Sequence, residues 1–212
     1  MARVFRVLAV SLFLVGFPLG SWYYLNKGYE YRRAIIEELN QNLGTVPNFK
    51  LVNQKGEKIE GTSVKNKVII HSFLNLEADR TDTSFVGRLH TIQDQFDKKD
   101  DIAFYTYVET NNSEELLKYY KGLQIAEEDR WLFLTGTDDL MSDFIRKFPL
   151  PEEQAGSYID NRTVAISDTS GIIRYYYNFR DKRQAGKLIE HIANLMPQTP
   201  PEEARMKREL EK

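Results

Sequence analysis

The stretch Val68-Ile69-Ile70-His71-Ser72-Phe73 decides the fold. It carries no charge, is bracketed by lysines upstream, and is too short for a helix of ordinary length, so it reads as a central strand covered on both faces. Downstream, Phe85, Leu89, Ile92 and Phe96 recur at i, i+4, i+7 and i+11, which lines up one face of a helix. Ile102 to Val108 predicts a second buried strand. Ser113 with Glu114 and Glu115 opens a helix, because carboxylates favour the positive end of its dipole. Trp131 to Leu134 predicts a third strand, and Thr137 starts a helix with Leu140, Phe144, Ile145 and Phe148 on one side. Thr163–Ser167 and Ile172–Tyr177 flank the turn Asp168-Thr169-Ser170-Gly171, a β-hairpin. Leu188, Ile189, Ile192 and Leu195 define a closing helix.

Upstream of the central strand, Phe49, Leu51 and Val52 precede Gln54-Lys55-Gly56, an expected hairpin. Strands separated by helices imply parallel crossovers, and the late hairpin adds antiparallel strands. The expected fold is α/β: a mixed central sheet with helices on both faces, in the order of a thioredoxin-like fold carrying an insert.

Further out lies the N-terminal segment. Val7 to Leu25 runs 19 residues without a charge, after Arg3 and Arg6 and before Lys27. That length covers the hydrocarbon core of a bilayer, and Trp22, Tyr23 and Tyr24 fall where amphipathic rings favour headgroups. The reading is one transmembrane helix, kinked at Pro18, with the domain on the extracytoplasmic side; a signal peptide cut after Gly20 or Ser21 is the alternative. The expected organisation is an anchor over 1–27, a helical stalk over 28–45 carrying Ile35, Ile36, Leu39 and Leu43, the globular domain over 46–197, and a disordered charged tail over 198–212.

The chain has 212 residues, 42% of them hydrophobic, enough for one domain with a real core. Its 29 basic and 31 acidic side chains leave a net charge of -2, so there is no electrostatic footprint for nucleic acid. There is no cysteine. That removes disulfides, thiol nucleophiles, thiolate metal sites and lipoprotein acylation together. No Gly-rich phosphate loop and no Ser/His/acid set in a helpful context is present, so the chain is not expected to be an enzyme.

In their order and spacing, several of these motifs resemble the SCO/SenC family. They are Asn48-Phe49-Lys50-Leu51 with the later Gly56, the strand ending at Phe73, and Leu89 with Gln93. Trp131-Leu132-Phe133-Leu134-Thr135-Gly136 follows, then Asp168-Thr169-Ser170-Gly171-Ile172-Ile173-Arg174 and Tyr176-Tyr177. The family comprises membrane-anchored thioredoxin-fold proteins that help assemble the copper centre of cytochrome oxidase. The resemblance spans roughly 46–197 and implies a metal site of two thiolates four positions apart and a distant histidine, soft ligands that select copper. Counted from Leu89 and Gln93, the cysteine positions fall on Ala78 and Asp82, and the prolines usually following them on Asp79 and Thr83. Counted from Gly171, the histidine position falls on Asp160. Neither copper binding nor disulfide chemistry is therefore expected, and no cofactor. The function expected is a non-catalytic binding or assembly factor linked to respiratory oxidase biogenesis, in the periplasm, with a protein partner.

An alternative keeps the old site and changes its chemistry. Glu77, Asp79, Asp82 and Asp160 would gather near one loop and offer oxygen ligands to a hard cation such as Ca²⁺, making the chain a metal-binding protein or a carboxylate enzyme. Against it, Asp82 before the Phe85 helix is a good N-cap, and Arg80 can neutralise a neighbour. Among the histidines, His71 lies in the central strand, while His90 and His191 are placed near the solvent faces of helices; none pairs with another at ligand spacing. The tyrosines, including Tyr105, Tyr107 and Tyr175-Tyr176-Tyr177, fit a half-buried sheet, with Tyr175 and Tyr177 on one face and Tyr176 on the other. Asn111-Asn112-Ser113 and Asn161-Arg162-Thr163 match glycosylation sequons that matter only in a eukaryotic secretory route.

Overall fold

The computed structural model describes residues 10, 12–61, 66–76, 84–96, 99–110, 113–123, 130–151 and 162–197. The chain divides into two compact units, Met1–Asn40 and Gln41–Lys212.

In the first unit a π-helical turn, Leu12–Gly16, leads into helix α1, Phe17–Leu39. Pro18 falls in the first turn of α1, where a missing N–H breaks no helical bond. The helix crosses residue 28, where composition places the boundary between an anchor and a helical stalk, and ends at Leu39. Gly28 alone is too weak a breaker, costing about 1 kcal/mol against alanine, and Asn26 reaches Glu30 one turn on at 3.5 Å. Ile35 and Leu39 are buried and Ile36 is exposed, as their spacing predicts. Trp22, Tyr23, Tyr24 and Leu25 are all exposed. Among the described residues no helix is long and apolar enough to cross a membrane; the expected span from Val7 begins outside them.

The second unit contains β1 (Lys50–Val52), β2 (Lys58–Glu60), β3 (Val68–Asn75), α2 (Ser84–Gln95), β4 (Ile102–Glu109), α3 (Ser113–Gly122) and β5 (Trp131–Leu134). It continues with α4 (Asp138–Lys147), β6 (Thr163–Ser167), β7 (Ile173–Asn178) and α5 (Arg183–Leu195). β1 and β2 form the first hairpin, and the other five strands form one sheet in the order β5-β4-β3-β6-β7. β3 pairs parallel with β4 and antiparallel with β6, so that Ile70 sits between Phe104 and Ile166. β5 extends the parallel half, and β7 returns antiparallel to β6. This is the thioredoxin-like mixed sheet the sequence predicts.

Both faces of the sheet are covered, which is why its strands read as unbroken apolar runs rather than alternations. On one face Val68, Ile70 and Leu74 pack with Phe85, Leu89 and Ile92 of α2, Leu116 of α3, and Leu188 and Ile192 of α5. On the other, Ile69, Phe73, Tyr105 and Tyr107 pack with Phe49 and Leu51 of the hairpin and with Met141 and Phe144 of α4. The hairpin docks through backbone bonds between Val52 and Thr135, at 2.8 and 2.9 Å. The β6–β7 turn is closed by Asp168, whose Oδ1 accepts the N–H groups of Ser170 and Ile172 at 2.8 and 3.0 Å. Gly171 supplies the φ of +79° that this turn requires.

Candidate functional site at the carboxyl edge of the sheet

Parallel strands β3, β4 and β5 end on one edge of the sheet, and antiparallel β6 begins there, because Ser72 pairs with Val164. In α/β sheets this carboxyl edge is where ligands settle. The chain leaves β3 through Asn75 and Leu76 and enters β6 through Arg162 at this edge. Every position on which the metal question turns, Glu77, Ala78, Asp79, Asp82 and Asp160, lies outside the described residues. So do Arg80, Thr83, Asn111, Asn112 and Asn161.

Two side-chain bonds tie the strand ends together at this edge. Asn75 Nδ2 donates to Glu109 Oε2 at 3.0 Å, tying the ends of β3 and β4 together. Thr135 Oγ1 donates to the Thr110 carbonyl at 2.8 Å, which does the same for β4 and β5. Among the described residues no three His, Asp or Glu side chains converge on a point that would hold a metal ion. With no cysteine anywhere in the sequence, no thiolate pair is available to a cuprous ion.

Directly behind the edge lies a polar network that the sequence reading did not anticipate. His71 is fully buried, with Nδ1 3.0 Å from the Tyr107 hydroxyl and Nε2 2.9 Å from Ser167 Oγ, a chain crossing β4, β3 and β6. Removal from water disfavours the imidazolium and lowers the His71 pKa to about 3. Burial, and then the neighbouring Tyr105, raises the Tyr107 phenol well above its ordinary value. His71 is thus neutral with both ring nitrogens engaged. On the opposite face Trp131 Nε1 donates to Thr106 Oγ1 at 2.9 Å, and Thr106 meets Ser72 Oγ at 2.9 Å. The available signal was the set of polar residues, His71, Ser72 and Thr106, inside otherwise apolar strands.

The other histidines divide. His90 is half-buried, 3.6 Å from Asp94 one turn on, and its ring lies over Trp131. His191 was expected near solvent and is instead fully buried, with Nδ1 2.7 Å from the Tyr177 hydroxyl and its ring against Tyr175. It shares a stripe of α5 with Leu188 and Ile192, and the β7 tyrosine supplies the polar partner that lets an imidazole sit there. Tyr175 and Tyr177 pack on one side of the sheet and Tyr176 on the other, as strand alternation predicts. The Tyr176 hydroxyl donates to the Pro149 carbonyl, and burial pushes its pKa up to about 12. Gly44, at φ +119°, passes so close that an added Cβ would lie 2.6 Å from Pro149 Cβ.

A separate groove of about 410 Å³ opens between the hairpin and α4, lined by Phe49, Leu51, Gly61, Leu140 and Phe144 among others. Its charged groups are spoken for: Lys50 pairs with Glu60 at 3.4 Å, and Asp143 with Arg146 and Lys147. The two cations hold the Asp143 carboxyl below its ordinary pKa.

No family model and no curated protein sequence matches the chain. Solved structures do. BsSco, a member of the Sco family of cytochrome c oxidase assembly proteins, is 17% identical with a TM-score of 0.60, over 73% of this chain and 95% of that one. A SCO1/SenC family lipoprotein from Bacillus anthracis is 18% identical with a TM-score of 0.60, over 74% and 98%. Yeast Sco1 with copper bound is 15% identical with a TM-score of 0.55, over 74% and 98%. The resemblance to SCO/SenC proteins read from the sequence therefore holds for the fold, across nearly the whole length of these structures.

Proposed function

We propose that the chain is a cysteine-less SCO/SenC-type protein that works as a non-catalytic binding or assembly factor in respiratory oxidase biogenesis, tethered by its N-terminal helix on the extracytoplasmic side of a membrane. The observation that carries this reading is a fold shared with Sco-family structures over nearly their full length in a sequence without one cysteine. The described sheet and hairpin are joined by backbone bonds, while the thiolates that would bind copper or exchange disulfides have no counterpart. Ala78, Asp82 and Asp160 stand where the aligned family ligands would be, and none is a soft donor. What such a scaffold retains is a surface. The tether is supported by the uncharged run Val7–Leu25 and by exposed Trp22, Tyr23 and Tyr24. One of the similar structures is described as a lipoprotein; a chain without cysteine needs a different anchor, and a helix supplies it.

Affinity purification from gently solubilised membranes at native expression tests the reading. Co-purification of oxidase subunits or their assembly proteins, stoichiometric and stable to washing, is expected. Recovery of the protein alone would sink it.

A further inference from the structure

We propose that the groove between β1 and α4 holds an extended segment of a partner polypeptide, which adds a strand to the open edge of β1 at Lys50. This rests on the assembly reading above and deepens it by naming how the partner is held. Val52 gives both of its backbone groups to Thr135: its N–H donates at 2.8 Å and its carbonyl accepts at 2.9 Å. Those groups therefore point away from β2, although Val52 lies opposite Lys58 in the hairpin. The Phe49 carbonyl points the other way and accepts the Gly61 N–H at 2.9 Å. Backbone groups alternate sides along a strand. Lys50 thus presents its N–H and carbonyl on the same side as Val52, and Asn48 continues that edge.

Thr135 covers one step of this edge and no more. Beyond it the chain turns through Gly136 and Thr137 into α4, which begins at Asp138. The antiparallel register that sets Val52 against Thr135 would set Lys50 against residue 137. Thr137 has instead joined the helix, its carbonyl accepting the Met141 N–H at 2.9 Å. Among the described residues neither Asn48 nor Lys50 has a backbone partner. Both are exposed, and both line the groove of about 410 Å³ together with Leu140 and Phe144 of α4. Leu140 is 50% exposed, more than any other large apolar side chain described in the second unit.

These features select an extended polypeptide over a small apolar molecule. A free N–H and a free carbonyl on one residue are matched by one residue of another strand, as Thr135 matches Val52. Such a strand carries a side chain toward the sheet at every second position, and Leu140 and Phe144 offer it an apolar seat. The edge is also built in advance. The Val52–Thr135 bonds and the buried Gln54 amide, which bonds the Trp131 carbonyl and the Phe133 N–H, fix β1 against β5. An arriving strand therefore has little to order on this side. The exposed Lys50 side chain, paired with Glu60 at 3.4 Å, is of the kind that keeps open edges from joining their own copies. That favours a partner over a second copy of this chain.

Proline tests the edge selectively. Because the Lys50 N–H faces away from β2, Lys50→Pro removes that donor without breaking a bond of the hairpin, a placement edge strands tolerate. Lys50→Ala removes the side chain and its ion pair but keeps the N–H. A benzophenone amino acid at position 140 of the full chain, photolysed in native membranes, marks what enters the groove. Crosslinks confined to one segment of an oxidase subunit or assembly protein are expected. The synthetic peptide of that segment, titrated into the solubilised full chain, should bind Lys50→Ala as it binds the parent. In Lys50→Pro its affinity should fall by about tenfold or more. Melting curves check that the variants fold; if Lys50→Pro melts early, Leu140→Glu, which changes a half-exposed side chain, carries the same expectation. Peptide affinity equal to the parent's in the folded variant would overturn the strand addition. Crosslinks to a second copy of this chain, or to its own residues 198–212, would give the groove that occupant and overturn the proposal. If a partner co-purifies but is never crosslinked from position 140, the groove is wrong while the assembly reading survives. If none co-purifies at all, both fall.

Discussion

Gln54 completes the outer edge of β5 with its side chain: Oε1 accepts the Phe133 N–H at 3.0 Å and Nε2 donates to the Trp131 carbonyl at 3.0 Å. One amide takes the place of a neighbouring strand at the point where hairpin and sheet meet. Edge strands otherwise present unpaired backbone groups, a template for aggregation. Gln54 is itself buried, so neither bond is shared with bulk water.

Replacement Gln54→Met keeps the length of the side chain and removes both bonds. Each orphaned buried backbone group costs about 1–3 kcal/mol, so a loss of roughly 2–6 kcal/mol is expected for the two. Urea unfolding measures it, with an unchanged slope showing that compactness is kept. A loss below about 0.5 kcal/mol would mean that water satisfies the edge equally well.

His71 makes stability depend on pH. Its folded pKa of about 3 lies below the ordinary value of 6.5, so between these limits the unfolded chain binds a proton that the folded chain does not. Stability is full above pH 6.5 and falls as pH drops toward 3, by up to about 1.4 kcal/mol per unit from this group. Carboxylates titrate in the lower part of the same window, so the measurement is a difference: His71→Gln should unfold with a shallower pH slope than the parent. Parallel slopes would show that His71 is not held neutral by the fold.

How much of this was legible in the sequence follows from what each residue had to do. Val68–Phe73 announced a central strand because burial on both sides leaves no polar alternation, and Phe85 to Phe96 announced α2 because one helix face is apolar. Gln54 was readable only as a turn residue, since its partners lie 77 and 79 positions away. His191 was misplaced for a related reason: a lone imidazole on a helix carries no local sign that Tyr177 will meet it. The boundary read at Lys27 rests on a change in composition, which alters the solvent a helix prefers without interrupting its hydrogen bonds, and α1 crosses it. At the candidate site the sequence tells which donors are absent, and the structure shows that β3 ends and β6 begins at one edge.

Arg174 closes the last hairpin on Asp168 and also reaches the segment after α1. Arg174 Nε and one terminal nitrogen reach Asp168 Oδ2 at 2.8 and 2.6 Å, and the other terminal nitrogen donates to the Gln41 carbonyl at 3.0 Å. Both side chains are mostly buried, at 20% and 14% exposure, so the pair falls between the surface and interior cases. A loss of about 1–3 kcal/mol is expected for Arg174→Ala, and lysine should rescue little because it has no fork. A double-mutant cycle with Asp168→Asn should show coupling above about 0.5 kcal/mol. Additive losses would mean that the contact is incidental.

The alignment of the candidate site can be tested by restoring the chemistry it lacks. Soft sulfur with imidazole selects cuprous copper, and aspartate and alanine cannot substitute for it. Ala78→Cys, Asp82→Cys and Asp160→His together should therefore confer stoichiometric cuprous binding on a chain that shows none as the parent, with sulfur scattering in the X-ray absorption spectrum of the loaded protein. The Ala78→Cys/Asp82→Cys pair alone should close a disulfide under mild oxidation if the two Cα atoms come within about 7 Å. Copper binding depends on where all three positions lie, and the disulfide on positions 78 and 82 alone. A triple variant that folds, keeps its thiols accessible and binds no copper would show that the ligand positions were assigned to the wrong residues; tight cuprous capture by the unaltered chain would overturn the non-catalytic reading itself.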